Sequence, residues 1–180
     1  PVHSLLGAWS QINENTVLSI GQKINIPSAR EIKNVRNLTD VAKAMGVSQE
    51  FINSLKLSED PKSLALNDFH NTPYTDNAGV RTIGVGHAIQ NSDDRNFLIK
   101  RYGNCTNLTD AQVCDLFASD LLEAEENIAA IIGQDNYDKL PSPMKEALLD
   151  MVFNKGKMII KDAEGLAYCL KNGNYEAAIN

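Results

Sequence analysis

Cysteine is scarce in this chain, and so are aromatic residues, positive charge and long apolar runs. Three cysteines, Cys105, Cys114 and Cys169, are too few and odd in number for a disulfide framework. Cys105 and Cys114 can pair only in an oxidising compartment, and free thiols are the expectation. No CxxC or Cys/His spacing marks a metal site, so neither metal nor organic cofactor is expected. Lys and Arg number 17 against 23 Asp and Glu, a net charge of −6. That balance disfavours sequence-independent nucleic-acid binding, which depends on neutralising phosphates. The longest apolar stretches, such as Ile128 to Ile132, fall far short of the ~20 residues of a spanning helix. Pro1–Ser10 lacks the basic and apolar regions of a signal peptide. Pro1 is not a native start, which points to a piece of a longer or processed protein.

With 43% hydrophobic and 22% charged residues, the 180-residue chain can bury a real core and form about one domain. Residues 1–37 are read as an N-terminal extension. Within it Val17 to Pro27 alternates short apolar runs around a Gly-Gln turn. From residue 38 helix signals dominate. Thr39 is expected to cap a helix carrying Leu38, Val41, Ala42 and Met45 that ends at Gly46. Ser48 caps the next, with Phe51, Ile52 and Leu55 on its apolar face and Asp60-Pro61 as its stop. Residues 61–73 read as a loop. Tyr74 to His87 reads as a hairpin turning at Asp76-Asn77-Ala78-Gly79.

After residue 93 the pattern is helical. Thr109 to Gln112 fits a capping box. The helix it opens aligns Val113, Leu116, Phe117, Leu121, Ala124, Ile128 and Ile131 on one stripe. Ser142-Pro143 opens a helix with Met144, Ala147, Leu148, Met151 and Val152 inward. Another is expected from Asp162 to Leu170, with Gly173 as its break. The plan is α+β: a small hairpin lobe and a mainly helical lobe, with a cleft between them.

Glu59 at a helix end, Asp76 in the hairpin turn and Thr82 on the return strand form a candidate constellation. Glycoside hydrolysis needs two carboxyl groups, one giving a proton to the leaving oxygen and one remaining ionised. Their surroundings must drive the two pKa values apart. Spacing alone is weak support, because most Asp and Glu are simply solvated.

The run Tyr74-Thr75-Asp76-Asn77-Ala78-Gly79-Val80-Arg81-Thr82-Ile83-Gly84-Val85-Gly86-His87 resembles the Y-x-D-x-x-G-x-x-T-I-G-x-G-H hairpin of phage-type lysozymes, glycoside hydrolase family 24. Val47-Ser48, Leu55-Lys56 and Glu59 resemble the helix before that family's catalytic Glu. Leu108-Thr109 through Asp120, Ala147 to Gly156, and Tyr175-Glu176-Ala177-Ala178 extend the similarity to roughly residues 47–180. The resemblance implies a two-lobed lysozyme-like fold over residues 38–180, ending before a last helical segment. It implies a muramidase cleaving the β-1,4 bond between N-acetylmuramic acid and N-acetylglucosamine in the bacterial wall or periplasm. Glu59 takes the place of the general acid, Asp76 of the partner carboxylate and Thr82 of the water holder. The implied inverting course requires carboxyl groups roughly 6.5–9.5 Å apart. His87 reads as a structural histidine, paired by the family pattern with Asp120. Gly79 suits a positive φ, and Gly84 and Gly86 allow close backbone approach. The Val17 to Pro27 fragment resembles the tail of a LysM module, or else a linker strand.

Residues 60–75 separate Glu59 from Asp76, more than the family allows. Aligned without a gap, the Glu slot falls on Asn67, which cannot serve as a carboxylic acid, beside Asp68. The alternatives are an inserted loop after Glu59, substitution by Asp68, or no acid at all. An inserted loop with Phe69, His70 and Tyr74 either borders the glycan groove or, as the favoured reading, is a plain surface loop. Two other function classes stay open. One is a non-catalytic peptidoglycan-binding module. The other is a helix-turn-helix DNA binder built on Val41 to Ser48, Ile52 and Leu55, whose second helix offers only Lys56 to phosphates. Phage endolysin, tail lysozyme and antibacterial effector, the last with an immunity protein as partner, are all compatible contexts for a delivered wall hydrolase.

Overall fold

The computed structural model describes residues 32, 34–59, 65–76, 78–156, 158–162 and 165–179. The LysM-like fragment, the Asp60-Pro61 stop and Asn77 lie outside the described residues. The described part is mostly helical with one small antiparallel sheet, an α+β lysozyme-like plan.

The chain enters α1 (Leu38–Met45) through Asn37, not Thr39. Asn37 is extended, and its side chain accepts the Asp40 N–H at 2.9 Å, while the Asp40 carboxylate accepts the Arg36 N–H at 3.0 Å. Thr39 falls inside the first turn because Asn is at least as good a cap and comes earlier. Gly46, at φ 67°, ends the helix in the left-handed conformation that favours glycine. Ser48 then caps α2 (Gln49–Glu59) as expected, its Oγ accepting the Phe51 N–H at 3.1 Å. Leu38, Val41, Ala42 and Met45 of α1 are buried, as are Ile52, Leu55 and Lys56 of α2.

The hairpin gains a third strand. β1 (Tyr74–Thr75), β2 (Arg81–Ile83) and β3 (His87–Ala88) pair antiparallel in that order, with Tyr74 opposite Thr82 and Thr82 opposite Ala88. Gly84, at φ 64°, makes the bend between β2 and β3. A Cβ there would stand 3.2 Å from a Val113 methyl, so with its positive φ the position suits glycine.

α3 (Ser92–Tyr102) carries a full capping box between Asn91 and Asp94. α4 (Asp110–Ile132) opens with the expected reciprocal bonds, Thr109 N–H to the Gln112 amide oxygen and Gln112 N–H to the Thr109 hydroxyl. Val113, Leu116, Phe117, Leu121, Ala124 and Ile128 form its buried stripe, and Ile131 is only half-buried. Asp115 ties α3 to α4 by accepting from Arg101 and from the Tyr102 hydroxyl, both at 2.8 Å.

The chain divides into two compact units, one of residues 32–122 and another taking in the chain from Glu123 onward. In the latter, α5 (Gln134–Asp138) buries Tyr137, whose ring lies beneath the Lys145 ammonium at 5.1 Å. α6 (Ser142–Lys155) buries Leu148, Leu149 and Val152 and leaves Ala147 exposed. The apolar run in α6 fits two helical registers, and the bulkier leucine takes the interior. The helix expected from Asp162 to Leu170 begins later, as α8 (Leu166–Lys171), and a short α7 (Met158–Asp162) precedes it. Gly165, at φ 83°, cannot continue a right-handed helix and separates them. α9 (Tyr175–Ile179) follows where the family pattern places it.

No helix among the described residues is long and apolar enough to cross a membrane. Cys105, Cys114 and Cys169 are free thiols.

Candidate active site

The candidate site is built on the turn from Asp76 to Val80. The Asp76 N–H donates to the Val80 carbonyl at 2.9 Å, and Gly79 N–H donates to the Asp76 carbonyl at 3.1 Å. One carboxylate oxygen of Asp76, Oδ1, accepts the N–H groups of Ala78 and Val80, each at 2.8 Å. An aspartate that folds back on its own turn in this way favours the turn over competing local conformations. Gly79, at φ 82°, supplies the left-handed step that closes it. These bonds hold the carboxylate against its own turn.

Thr82 lies two residues beyond, 3% exposed, and its hydroxyl donates to the Val80 carbonyl at 3.2 Å. Val80 is thus the common anchor. Its N–H holds Asp76 and its carbonyl holds Thr82, so the two side chains expected to handle water share one peptide support. Sequence reading did not single out Val80, because the groups that matter are main-chain atoms.

Glu59 is the last residue of α2 and is half-buried. Asp68, the alternative acid, is exposed, as is Asn67. Ile52, Leu55, Lys56 and Glu59 fall at i, i+3, i+4 and i+7, one stripe of a helix. That stripe is buried through Lys56, which is wholly inaccessible to solvent. Among the described residues Lys56 and Thr82 are the buried polar or charged side chains, and both belong to this region. The stripe spacing was the available signal for Lys56.

Residues 65–73, expected as a loop, have no regular structure but are firmly attached. The Lys56 ammonium donates to the Ala65 carbonyl at 2.8 Å and lies 5.3 Å from the Phe69 ring centre. His70 accepts the Gly84 N–H through its carbonyl at 2.8 Å, and its ring packs on Tyr74 with centroids 4.2 Å apart. Asn71 exchanges bonds with Leu108, N–H to carbonyl at 2.8 Å and amide to carbonyl at 2.8 Å. The same amide reaches the Asp110 carboxylate at 2.8 Å. Asn71 is a second support that sequence reading missed, since nothing local marks a partner so far along the chain.

His87 on β3 meets Asp120 on α4, Nδ1 lying 3.0 and 3.1 Å from the two carboxylate oxygens. This is the pairing that the family pattern implied, and it joins the sheet to α4. Gly84 and Gly86 both take positive φ beside it.

α1 and α2 follow one another across a three-residue turn, but the lone cation of α2 is spent inside the fold. A recognition helix needs exposed donors for phosphates and bases, and a buried Lys56 is not one. Among the described residues, no three His, Cys, Asp or Glu side chains gather as a metal-binding group.

The chain matches the family model for phage lysozyme over residues 65–180, and no curated protein matches it significantly. The matched span contains Asp68, Asp76, Thr82, His87 and Asp120, and begins after Glu59. A hairpin that locks one carboxylate, a threonine on its return strand, a His–Asp tie to α4 and a match over more than half the chain agree: the chain belongs to the phage lysozyme family, glycoside hydrolases that act on peptidoglycan.

Proposed function

We propose that this protein is a muramidase that cleaves the β-1,4 bond from N-acetylmuramic acid to N-acetylglucosamine, with Glu59 as general acid and Asp76 as general base. The observation that carries the reading is the shared Val80 anchor, which holds Asp76 in the turn and Thr82 on the strand that follows it by bonds to one residue. In the proposed course Glu59 protonates the glycosidic oxygen as the bond to the anomeric carbon breaks. Asp76 takes a proton from a water whose oxygen attacks that carbon from the opposite face, and the configuration inverts. Oδ1 of Asp76 is engaged by the turn, so Oδ2 is the atom that would receive the water's proton. The Thr82 hydroxyl hydrogen points to the Val80 carbonyl, which leaves its oxygen lone pairs to accept from the same water.

Glu59 is favoured over Asp68 because it lies at the end of a buried helical stripe, where a carboxylic acid can be screened from bulk water. One observation favours Asp68: the family match includes it and starts beyond Glu59. Glu59→Gln and Asp68→Asn, tested separately for release of reducing ends from purified sacculi, decide between them. The reading expects Glu59→Gln to lose roughly 10²–10⁴-fold in rate, and Asp68→Asn to keep most of it. Loss only in Asp68→Asn reassigns the acid. A parent protein that binds sacculi but releases nothing makes the domain a binding module. The proposed site of action is the bacterial wall or periplasm, reached as part of a larger delivered protein such as an endolysin, a tail lysozyme or an effector.

A further inference from the structure

We infer that Lys56 is a positioning residue for the proton donor, a part the family pattern does not give it; this rests on the reading of Glu59 as the acid. Its ammonium is completely withdrawn from water. Burying a cation is costly unless it finds hydrogen bonds, and an apolar side chain would fill the same volume at lower cost. Packing alone therefore does not account for a lysine here.

What the ammonium does is specific. Its bond to the Ala65 carbonyl, at 2.8 Å, lands on an oxygen that also accepts the Asp68 N–H at 3.2 Å. Lys56 thus caps the Ala65–Asp68 turn from one helical turn before Glu59. It joins the chain on either side of residues 60–64, across the very stretch that separates the acid from the hairpin. The Phe69 ring lies beside the ammonium, and on α4 the charge also reaches Cys114. Burial pushes that thiol up to about 12, with Asp110 and Asp40 adding to the rise and Lys56 pulling it back. The ammonium therefore sits between α2 and the 65–69 segment, within electrostatic reach of Cys114 near the start of α4. Residues three apart on a helix are neighbours, so a change at Lys56 is felt directly at Glu59.

Lys56→Met and Lys56→Arg, assayed on solubilised glycan strands, test this role. Lys56→Met is expected to lower kcat roughly tenfold or more while KM changes little, because the donor is misplaced and glycan binding is not. The basic limb of its pH–kcat profile should move to higher pH, since a positive charge near the acid is gone. Lys56→Arg should recover most of kcat by keeping charge and donors. A folded Lys56→Met protein with kcat within about twofold of the parent overturns the role. So does equal loss in both variants with an unmoved pH profile, which would mark simple packing. Should Lys56→Met fail to fold, Phe69→Leu removes the ring beside the ammonium and should lower kcat in the same sense with KM held. An unchanged kcat in Phe69→Leu then overturns the role. The acid assignment fails separately: full activity in Glu59→Gln removes that reading whatever Lys56 does, whereas an inactive Glu59→Gln beside a fully active Lys56→Met removes only the role of Lys56.

Discussion

The Asp76 turn and the segment from Ala65 to Asn71 lie close together in sequence but are held in opposite ways. Asp76 is fixed by bonds to Ala78 and Val80, two and four residues ahead. The Ala65–Asn71 segment is fixed from a distance: by Lys56 nine residues back, and by Leu108 and Asp110, 37 and 39 residues on. The first needs only its own few residues to take shape. The second exists only once α2, the sheet and α4 have come together. The Asp76 half of the proposed site is thus a local structure, and the segment that the Lys56 ammonium holds, one helical turn from the proposed donor, is a product of tertiary folding. Changes far along the chain should damage the second and spare the first.

The largest effect expected from this contrast comes from separating scaffold and chemistry at Asp76. Asp76→Asn keeps an oxygen for the Ala78 and Val80 N–H groups, so the turn should survive. It removes the base, and hydrolysis should fall roughly 10²–10⁴-fold with a nearly unchanged melting temperature. Asp76→Ala removes both, leaving two donors without their acceptor, and should lose about 1–3 kcal/mol of stability as well. Reducing-end assays with thermal melts check both variants. Equal melting temperatures for Asn and Ala would mean that the turn does not depend on its aspartate.

Next comes a break at long range. Asn71→Ala removes the amide that bridges the Leu108 carbonyl and Asp110. Leu108 is buried, so its carbonyl loses a partner at a cost of about 1–3 kcal/mol. The melting temperature should fall by about 2–4 °C for each kcal/mol. Activity should fall about tenfold, since small displacements of a catalytic group are expensive. The Asp76 turn should persist, visible as unchanged amide shifts for Ala78 and Val80. Shifts that move there as much as at Ala65–Asn71 would show that the two halves are not independent.

The same contrast explains what could be read from the sequence. The hairpin's turn, the Ser48 and Thr109–Gln112 caps and the Gly46 stop rest on interactions within four residues, and each was legible. His87 with Asp120 was legible only through the family resemblance, because no local rule joins positions so far apart. The misplaced cap of α1 came from two adequate caps close together, Asn37 and Thr39, between which propensity decides weakly. Leu149 was overlooked and Ala147 overvalued because an apolar run satisfies more than one helical phase. Gly173 was legible as the break after α8, and it does take positive φ there, whereas the effect of Gly165 on where that helix starts was not. Lys56 and Asn71 were missed for a stronger reason: a polar side chain near apolar positions is usually solvated, and only the assembled fold reveals which carbonyl it serves.

A smaller effect is expected where sheet and helix touch. Gly84→Ala introduces a Cβ 3.2 Å from Val113 at a φ of 64°, strained on both counts. The cost should be about 1–3 kcal/mol, read as a lower denaturation midpoint. Because Gly84 N–H also anchors the His70 carbonyl, the Ala65–Asn71 segment should loosen before the Asp76 turn does. Hydrogen exchange at Asp68 and Asn71 should rise more than at Val80, and the reverse order would break the comparison.

The smallest effect belongs to a residue outside both halves and serves as their control. Glu126 on α4 has a raised pKa, first from partial desolvation and then from repulsion by Glu123 one turn earlier. For a carboxyl whose folded value is raised, the stabilising contribution is complete below the unfolded value and is lost as pH rises through the folded one. At neutral pH the ionised group is therefore a mild liability. Glu126→Gln should raise the melting temperature slightly at pH 7, and the gain should vanish near pH 3, roughly a unit below the ordinary Glu range. The side chain is exposed, so solvent screens most of the interaction and the gain should be small. Hydrolysis should match the parent, because neither the Val80 anchor nor the Lys56 cap is touched. A change in kcat in this variant would mean that activity follows whole-molecule stability rather than the two supports, and the contrast between local and long-range halves would lose its explanatory force.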